Sequence, residues 1–329
     1  MGYTPEEVQL SVVTPTLGRP AEVESLLRNL AGQRLLPTEV IVVDGAARGD
    51  DRTSRVVCAI AKDLPFGVHY QRAPRGTAVQ RNVGIHAAIG AFVCLIDDDI
   101  RLEPTFLENI IREFQRDSSH VIGGISGYIT NAFLNPFTSR RWRWYRKLHL
   151  FSTIEPGHFD YSSGYPINRY LQAPHSGLRR IDFMGAGCAV WRREVFDQGV
   201  YFDPFFSGHG VMEDAHHALR ASQRGWLLYE LGSARCSHLR VAVARESPFL
   251  TGQKSAVNYR YLFLDILPQR SVRQEVRWWL VQLTQWAAAV AALVRHPGLG
   301  SLESCVGKSV GIVKATLIRR GRREDNNPD

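Results

Sequence analysis

The chain carries no Cys-x-x-Cys pair, and its five cysteines (Cys58, Cys94, Cys188, Cys236, Cys305) are an odd number in apolar settings. That pattern argues for buried thiols in a reducing compartment. A signal peptide is not expected, because the start is acidic and passes directly into a strand. Glu6 stands where myristoylation at Gly2 would want Ser or Thr. Internal repeats, low-complexity segments and nucleic-acid motifs are absent. The longest stretch without a charge near the C-terminal end, Trp278–Val294, has 17 residues. As a helix it would reach about 26 Å, short of the roughly 30 Å of a bilayer's hydrocarbon, and Gln282, Thr284 and Gln285 interrupt it. A packed or interfacial helix is expected there. Trp278, Trp279 and Trp286, with Arg273 and Arg277 nearby, suit a membrane interface; a helix covering the core or a dimer contact is the alternative.

What is present is ordinary for a globular protein: 329 residues, 44% hydrophobic and 22% charged. That length allows one large domain or two smaller ones. The net charge of +8 is clustered, in Arg140-Arg141-Trp142-Arg143-Trp144-Tyr145-Arg146-Lys147 and in Arg319-Arg320-Gly321-Arg322-Arg323. Basic residues mixed with Trp and Tyr suit an anionic membrane surface, and with no nucleic-acid motif in view, nucleic acid is not the expected partner. A solvated basic face is the plain alternative.

The first 115 residues alternate regularly. Strands are expected at Leu10–Thr14, Glu39–Asp44, Val68–Gln71 and Phe92–Ile96, and helices at Pro20–Ala31, Asp50–Lys62, Ala78–Ile89 and Glu103–Arg116. Such alternation argues for a mostly parallel, Rossmann-like α/β sheet with helices on both faces. Beyond residue 120 the expectations are a strand at Val121–Ile129, an irregular binding loop or lid over 130–180, and a small, apolar stretch at Phe183–Trp191. Then come a helix at Met212–Arg224, strands at Trp226–Leu231 and Ser233–Ser237, and a helical remainder after 245.

Residues 93–99, Val-Cys-Leu-Ile-Asp-Asp-Asp, run an apolar strand into three carboxylates, Asp97, Asp98 and Asp99. Unpaired buried charge is expensive, so these carboxylates are expected at the strand's exposed carboxyl end, where open α/β sheets bind ligands. Hard oxygen ligands there suit Mg²⁺ or Mn²⁺, and a divalent ion at a strand end points to a phosphorylated ligand. Asp44 closes the second strand and Thr14-Pro15-Thr16 the first, on the same edge. Arg81, on a helix facing it, could hold phosphate.

Six blocks in order then resemble a known family: Ser11-Val-Val-Thr-Pro-Thr16, Glu39-Val-Ile-Val-Val-Asp44-Gly, Gln80-Arg-Asn-Val-Gly84, Leu95-Ile-Asp-Asp-Asp99, Phe183-Met-Gly-Ala-Gly187 and Met212-Glu-Asp214. The chain resembles a family 2 glycosyltransferase of GT-A fold over residues 8–240. The resemblance implies a GT-A domain over 1–245, with a nucleotide-binding half at 8–118 and an acceptor and catalytic half at 119–245. Residues 246–329 would be a helical extension with a basic tail. It implies that Thr14, Pro15, Thr16 and Asp44 contact the nucleoside, with Asp44 reading the base, and that Arg81 lies against the nucleotide. Asp97 and Asp99 match the outer positions of an Asp-x-Asp motif. Asp99 would be the principal ligand of Mg²⁺ or Mn²⁺, and Asp97 would face the ribose or the metal's water shell; Asp98 holds the variable position. Gly185, Ala186 and Gly187 match the loop facing donor sugar and acceptor. Asp214, preceded by Glu213, matches the catalytic base, and His238 a further metal ligand of many relatives.

The implied activity is an inverting, metal-dependent, non-processive transfer of sugar from a nucleotide sugar, UDP favoured, to a saccharide or lipid-linked acceptor. It would serve polysaccharide or glycoconjugate synthesis on the cytoplasmic face of a membrane. Departures are Gly45, where relatives often have Asp or Asn, and Ala215-His216-His217 after the Glu-Asp pair. His216 is expected on the helix surface or beside Asp214. Gln274-Glu-Val-Arg277-Trp278 matches the Gln-x-x-Arg-Trp motif of processive synthases but lies 60 residues beyond Asp214 and reads as coincidental. Two rivals are a non-catalytic nucleotide-sugar-binding partner and a sugar nucleotidyltransferase. The latter would want a Gly-rich, Arg- and Lys-bearing loop where Thr16-Leu-Gly18-Arg19-Pro20 stands.

Overall fold

The computed structural model describes residues 8–135, 140–208, 210–240 and 246–318. The basic tail Arg319–Arg323 lies outside the described residues. Among those described, eleven strands and ten α-helices follow in order. The amino-terminal half runs β1 (Leu10–Thr16), α1 (Pro20–Ala31), β2 (Glu39–Asp44), α2 (Arg52–Ile60), β3 (Gly67–Arg72), α3 (Thr77–Ala87), β4 (Phe92–Ile96), β5 (Ile100–Leu102) and α4 (Phe106–Arg116). Then come β6 (Ile122–Ile129), α5 (Arg140–Lys147), a small hairpin β7 (Phe159–Asp160) and β8 (Tyr165–Pro166), β9 (Leu178–Ile181), β10 (Cys188–Arg192), α6 (Arg193–Asp197), α7 (Glu213–Gln223) and β11 (Leu227–His238). Three long helices close the chain: α8 (Pro248–Ile266), α9 (Val272–Arg295) and α10 (Leu299–Leu317).

Chain contacts divide the protein into two units. Among the described residues, one holds 8–135, 155–159, 166–208 and 210–240; the other holds 140–154, 160–165 and 246–318. The first unit is built on one sheet of order β3-β2-β1-β4-β10-β6-β11-β5, with β9 on β11. The pairings set β1, β2, β3, β4, β6 and β11 in one direction and β5, β9 and β10 against them, so six of the nine strands run the same way. β1, β2 and β4 are buried at every position, as continuous apolar strands covered on both faces must be. On one face Val12, Val40, Val42 and Cys94 meet Val23, Leu26 and Leu27 of α1 and Val57 of α2. On the other, α3 approaches so closely that a Cβ on Gly84 would lie 2.3 Å from Val13. The helices thus cover both faces, as the alternation predicts. Because β1 lies between β2 and β4, the chain reverses its order of strand addition there, which opens a crevice at their carboxyl ends.

Several elements differ from the sequence expectation: within 130–180, expected as an irregular loop, the chain forms α5, the β7–β8 hairpin and the start of β9. The chain forms β5 directly after the three carboxylates, so α4 starts later than Glu103. β5 is too short to show periodicity and exists by pairing with β11, Ile100 opposite His238 and Leu102 opposite Cys236. The two strands expected at 226–237 are one, β11, with a bulge between Leu231 and Arg235. Of the five thiols, Cys94, Cys188 and Cys236 are buried, whereas Cys58 is exposed and Cys305 half-buried; helix surfaces, not the core, take those two.

In the second unit Ser271 and Gln274 form a capping box at the start of α9, and the Gln274 amide donates to Tyr161 O (2.8 Å). The Gln-x-x-Arg-Trp match is therefore used for helix capping, and its Trp278 is buried with Phe263, Leu264 and Ala315. No helix among the described residues is long and apolar enough to cross a membrane.

Candidate active site

Each of the three consecutive carboxylates meets a different basic side chain. Asp97 Oδ1 accepts from Arg81 Nη2 (2.8 Å). Asp98 accepts from Arg19 Nη1 and Thr16 Oγ1, both at 2.7 Å. Asp99 meets His238 Nε2 at 3.1 Å. The expectation of an exposed strand end needs correcting: Asp98 and Asp99 are buried, and about a third of the Asp97 side chain is exposed. The polar partners make that burial tolerable. Burial pushes the Asp98 carboxyl up to about 6 against the downward pull of Thr16 and Arg19. The hydrogen bond that His238 donates to Asp99 raises the imidazole above its usual range. The register of β5 on β11 is what brings His238 to Asp99.

On the neighbouring strand ends, Thr14, Pro15, Thr16 and Asp44 are all buried. Asp44 Oδ1 accepts from the amides of Gly18 (3.0 Å) and Ala46 (2.9 Å), and Oδ2 from the Tyr70 hydroxyl (3.1 Å). Burial first, and Asp44 next, push the Tyr70 phenol up to about 12. Gln80, to which the sequence analysis assigns no role, stitches this edge together. Its amide nitrogen donates to Thr16 O (2.7 Å) and Val43 O (2.8 Å), and its oxygen accepts from Gly76 N (3.2 Å).

Arg81 is buried and joins distant parts of the chain. One nitrogen meets Asp97 and the other meets Glu213 Oε1 at 3.0 Å. Thr77 Oγ1 also donates to Glu213 (3.2 Å) and accepts from Gly210 N (3.2 Å). A Cβ on Gly210 would lie 2.2 Å from the Glu213 carboxyl carbon, so only glycine leaves room for that carboxylate. The helix α7 that carries Glu213 and Asp214 begins after Met212, whose φ is 75°. A left-handed methionine is unusual and stores backbone strain where the two acidic side chains are aimed.

Asp214 Oδ2 lies 3.3 Å from where a Cβ on Gly185 would be, and Gly187 backs onto Asp97, with 2.5 Å between a built Cβ and Asp97 Oδ2. Gly187 O also accepts from Asp97 N (3.1 Å). The loop Gly185-Ala186-Gly187 thus runs between Asp97 and Asp214, leaving both carboxylates uncovered by side chains of its own. Burial, then the adjacent Glu213, push the Asp214 carboxyl up to about 6, while Arg81 opposes them. A carboxylate of that basicity suits proton transfer near neutral pH.

His216 departs from the surface position expected of it. It is buried with its ring 5.1 Å from Phe206. Its neighbour His217 stacks on Phe202 at 4.3 Å and meets Val200 O through Nε2. Burial drives its pKa down to about 3, so it is a neutral core ring. Both histidines serve packing, because the face of α7 opposite the acids turns into the core.

Comparison with known proteins speaks to family and fold. The family description "Glycosyl transferase family 2" matches residues 11–199, more than half of the chain. An uncharacterized glycosyltransferase of Haemophilus influenzae is 31% identical over 108 residues, 33% of this chain and 35% of that protein. The GalNAc(5)-diNAcBac-PP-undecaprenol beta-1,3-glucosyltransferase of Campylobacter jejuni is 29% identical over 120 residues, 35% of this chain and 37% of the other. The matched stretches thus span about a third of those relatives. Among solved structures, the mannosyltransferase PcManGT of Pyrobaculum calidifontis, in complex with GDP-Man and Mn²⁺, superposes with a TM-score of 0.55 at 16% identity, over 94% of this chain and 86% of that one. S. aureus TarS 1–349, in complex with UDP-GlcNAc, does so with 0.53 at 15%, over 93% and 81%. At such identities the likeness shows the fold, which is GT-A. The chain belongs to glycosyltransferase family 2.

Proposed function

We propose that the enzyme moves a sugar from a nucleoside diphosphate sugar, UDP favoured, to a saccharide or lipid-linked acceptor, inverting the anomeric carbon and releasing product after each transfer. The observation that carries this reading is the joining of Asp97 to Glu213, the neighbour of Asp214, through Arg81, with the small-residue loop Gly185–Gly187 between Asp97 and Asp214. It offers a donor side and an acceptor side within one buried charge network. The acceptor hydroxyl oxygen attacks the anomeric carbon, the bond to the diphosphate oxygen breaks, and the proton passes to Asp214. Its raised basicity supports that role. Such help is typically worth about 10²–10⁴-fold in rate. Glu213, tied to Arg81 and Thr77, holds the start of α7 in place. Asp44 would accept from the base at the floor of the nucleoside site, beside Thr14 and Pro15, and Asp98 would brace Thr16 and Arg19 beneath it.

Among the described residues no three metal-binding side chains gather at one point. Asp99 and His238 do meet, and a carboxylate with an imidazole fits Mn²⁺, and Mg²⁺ less well, once donor phosphate oxygens complete the set. Asp99 and His238, with Asp97 nearby, would hold such an ion, which when bound neutralises the leaving diphosphate. The GDP-Man and Mn²⁺ complex of PcManGT and the UDP-GlcNAc complex of TarS support this donor chemistry, and the undecaprenol-linked substrate in the C. jejuni relative's name supports a lipid-linked acceptor. The use of Gln274 as a helix cap supports non-processive action.

The test is thermal unfolding with UDP, GDP, dTDP, CDP and ADP, each with and without Mn²⁺, followed by release of the chosen nucleotide from its sugar. A ligand at 100 times its Kd stabilises by about 2.7 kcal/mol. A shift for UDP alone that requires Mn²⁺ is the expected result; equal shifts without metal overturn the metal assignment, and a shift for another base overturns UDP.

A further inference from the structure

In the second unit a buried cation lies among the three helices beside an apolar cluster, while further apolar side chains face outward. Between α8, α9 and α10 lies Lys308, buried, with its ammonium donating to Ser255 Oγ (3.1 Å), Gln282 Oε1 (3.1 Å) and Gln285 Oε1 (2.7 Å). α8 and α10 touch through glycines: a Cβ on Gly307 would fall 2.0 Å from Phe249 O and one on Gly311 2.5 Å from Gln253 O. Small residues spaced by four and polar interhelical bonds are how helices associate where water does not drive them together.

The outside of the same helices is apolar. On α10, Leu299, Leu302, Val306, Val313 and Leu317 are exposed, at spacings that keep them on one face. On α9, Val276, Leu280, Leu283 and Val294 do the same. Val294, Leu299 and Leu317 are each about three-quarters exposed. The two helices run antiparallel, because Trp278 clusters with Ala315 while Trp286 Nε1 donates to Ser309 Oγ (2.9 Å). With the contact residues 80–160° round from each stripe at about 100° per residue, the antiparallel arrangement turns both stripes to the same side of the pair. Along the other flank of the α9 stripe stand Arg273, Arg277 and Arg295. At its C-terminal end Arg295 joins Arg143, Lys147 and Trp144 of α5 around an open hollow of about 390 Å³. Lys147 lies over the Trp144 ring at 5.4 Å, and among the described residues none of these three cations has a carboxylate partner.

We propose that this face, the joined stripes of α9 and α10 with the Arg143–Trp144–Lys147–Arg295 hollow at its end, docks in the interface of an anionic phospholipid bilayer, with a headgroup phosphate in the hollow. It gives the membrane contact of the proposed function a definite surface. Apolar residues enter the acyl boundary, tryptophans sit at headgroup level and the cations meet lipid phosphate. Charge decides between this occupant and a second copy of the chain. A two-fold contact would set the same arginine-flanked face against itself, whereas anionic lipid complements it.

The experiment is flotation of the full chain with vesicles of phosphatidylglycerol and phosphatidylcholine, against phosphatidylcholine alone, with inorganic phosphate and diphosphate as soluble competitors. Binding to the anionic vesicles that weakens with salt is expected. Each cation near such a surface is worth about five-fold in partitioning, so R143E/K147E/R295E should bind at least about 100-fold more weakly, and L283S/V306S should remove what remains at high salt. Quenching of Trp144 and Trp286 by brominated acyl chains tests the contact in the unaltered protein. Equal binding to neutral vesicles, no quenching, complete displacement by millimolar phosphate, or a dimer in sedimentation that L283S/V306S dissolves would each overturn the proposal. Nucleotide-dependent thermal shift, measured in parallel, keeps this result separate from that of the catalytic reading, since none of these residues belongs to the charge network of Arg81.

Discussion

Replacing Asp214 with Asn should move activity and stability in opposite directions. In the folded protein the Asp214 carboxyl sits at about 6 instead of its ordinary 3.8. That difference places about 3 kcal/mol against the ionised form. Asn is neutral, keeps an acceptor for Ala215 N and removes repulsion with Glu213. Losing a negative charge at the start of α7 costs about 0.3–1 kcal/mol. The net expectation at pH 8 is a variant about 2 kcal/mol more stable than the parent, with transfer reduced about 10²–10⁴-fold. The pH dependence has a definite sign. Because the folded pKa lies above the unfolded one, the parent gains stability from this group as pH falls through 6, fully so below 3.8, and loses it as pH rises. The advantage of Asp214→Asn is therefore greatest above pH 7 and closes by about pH 4. Guanidinium unfolding at pH 8 and pH 4.5, with initial transfer rates at pH 8, checks both arms. An Asn variant no more stable than the parent at pH 8 would show that Asp214 is not desolvated, and near-normal turnover would remove it as the base.

Arg81→Met leaves the buried Glu213 without its cation, so it should destabilise the protein by about 3–5 kcal/mol, and Glu213→Gln in the same chain should restore much of that loss; a double-mutant cycle in urea with no coupling would refute the link. The same Arg81 variant should shift the acid limb of kcat/KM to higher pH, because Arg81 holds the Asp214 pKa down. Gly187→Ala puts a methyl 2.5 Å from Asp97 Oδ2 and should lower kcat at least about ten-fold while Tm moves little; unchanged turnover would show that Asp97 need not stay where it is. His238→Ala should raise the Mn²⁺ concentration for half-maximal rate by roughly 10-fold or more, read by titrating metal at saturating donor, and an unchanged midpoint would take His238 off the metal.

Much of the amino-terminal half was legible because local pattern and tertiary fate agree there. The apolar runs of β1, β2 and β4 can only be buried strands, and Val23, Leu26, Leu27 and Leu30 mark the inner face of α1. β5 escaped notice because three residues carry no period; pairing with β11 creates it. The site residues were named by motif, yet their partnerships were not. Arg19 to Asp98 and Arg81 to Glu213 are ion pairs across 79 and 132 positions, and nothing in the sequence near either end announces the other. His216 and His217 look like surface residues of an acidic helix start, and only the aromatic cluster of Phe202 and Phe206 explains their burial. Gln80 had a visible place beside Arg81 but no visible purpose, since its partners are backbone atoms of two other strands.

The charge network about Arg81 also sets an order of events during synthesis. Asp97 leaves the ribosome soon after Arg81, but Glu213 follows 116 residues later, roughly 6–23 s at ordinary elongation rates. Until then the nascent sheet holds an arginine with half of its counter-charge, and α3 has no Gly208 backbone to bond. A chain cut between residues 100 and 212 would carry the motifs from Thr14 to Asp99 and still lack the contact that ties Arg81 to α7. Fragments ending near residue 118 should thus be poor stand-ins for the nucleotide site, however complete their motifs look on paper.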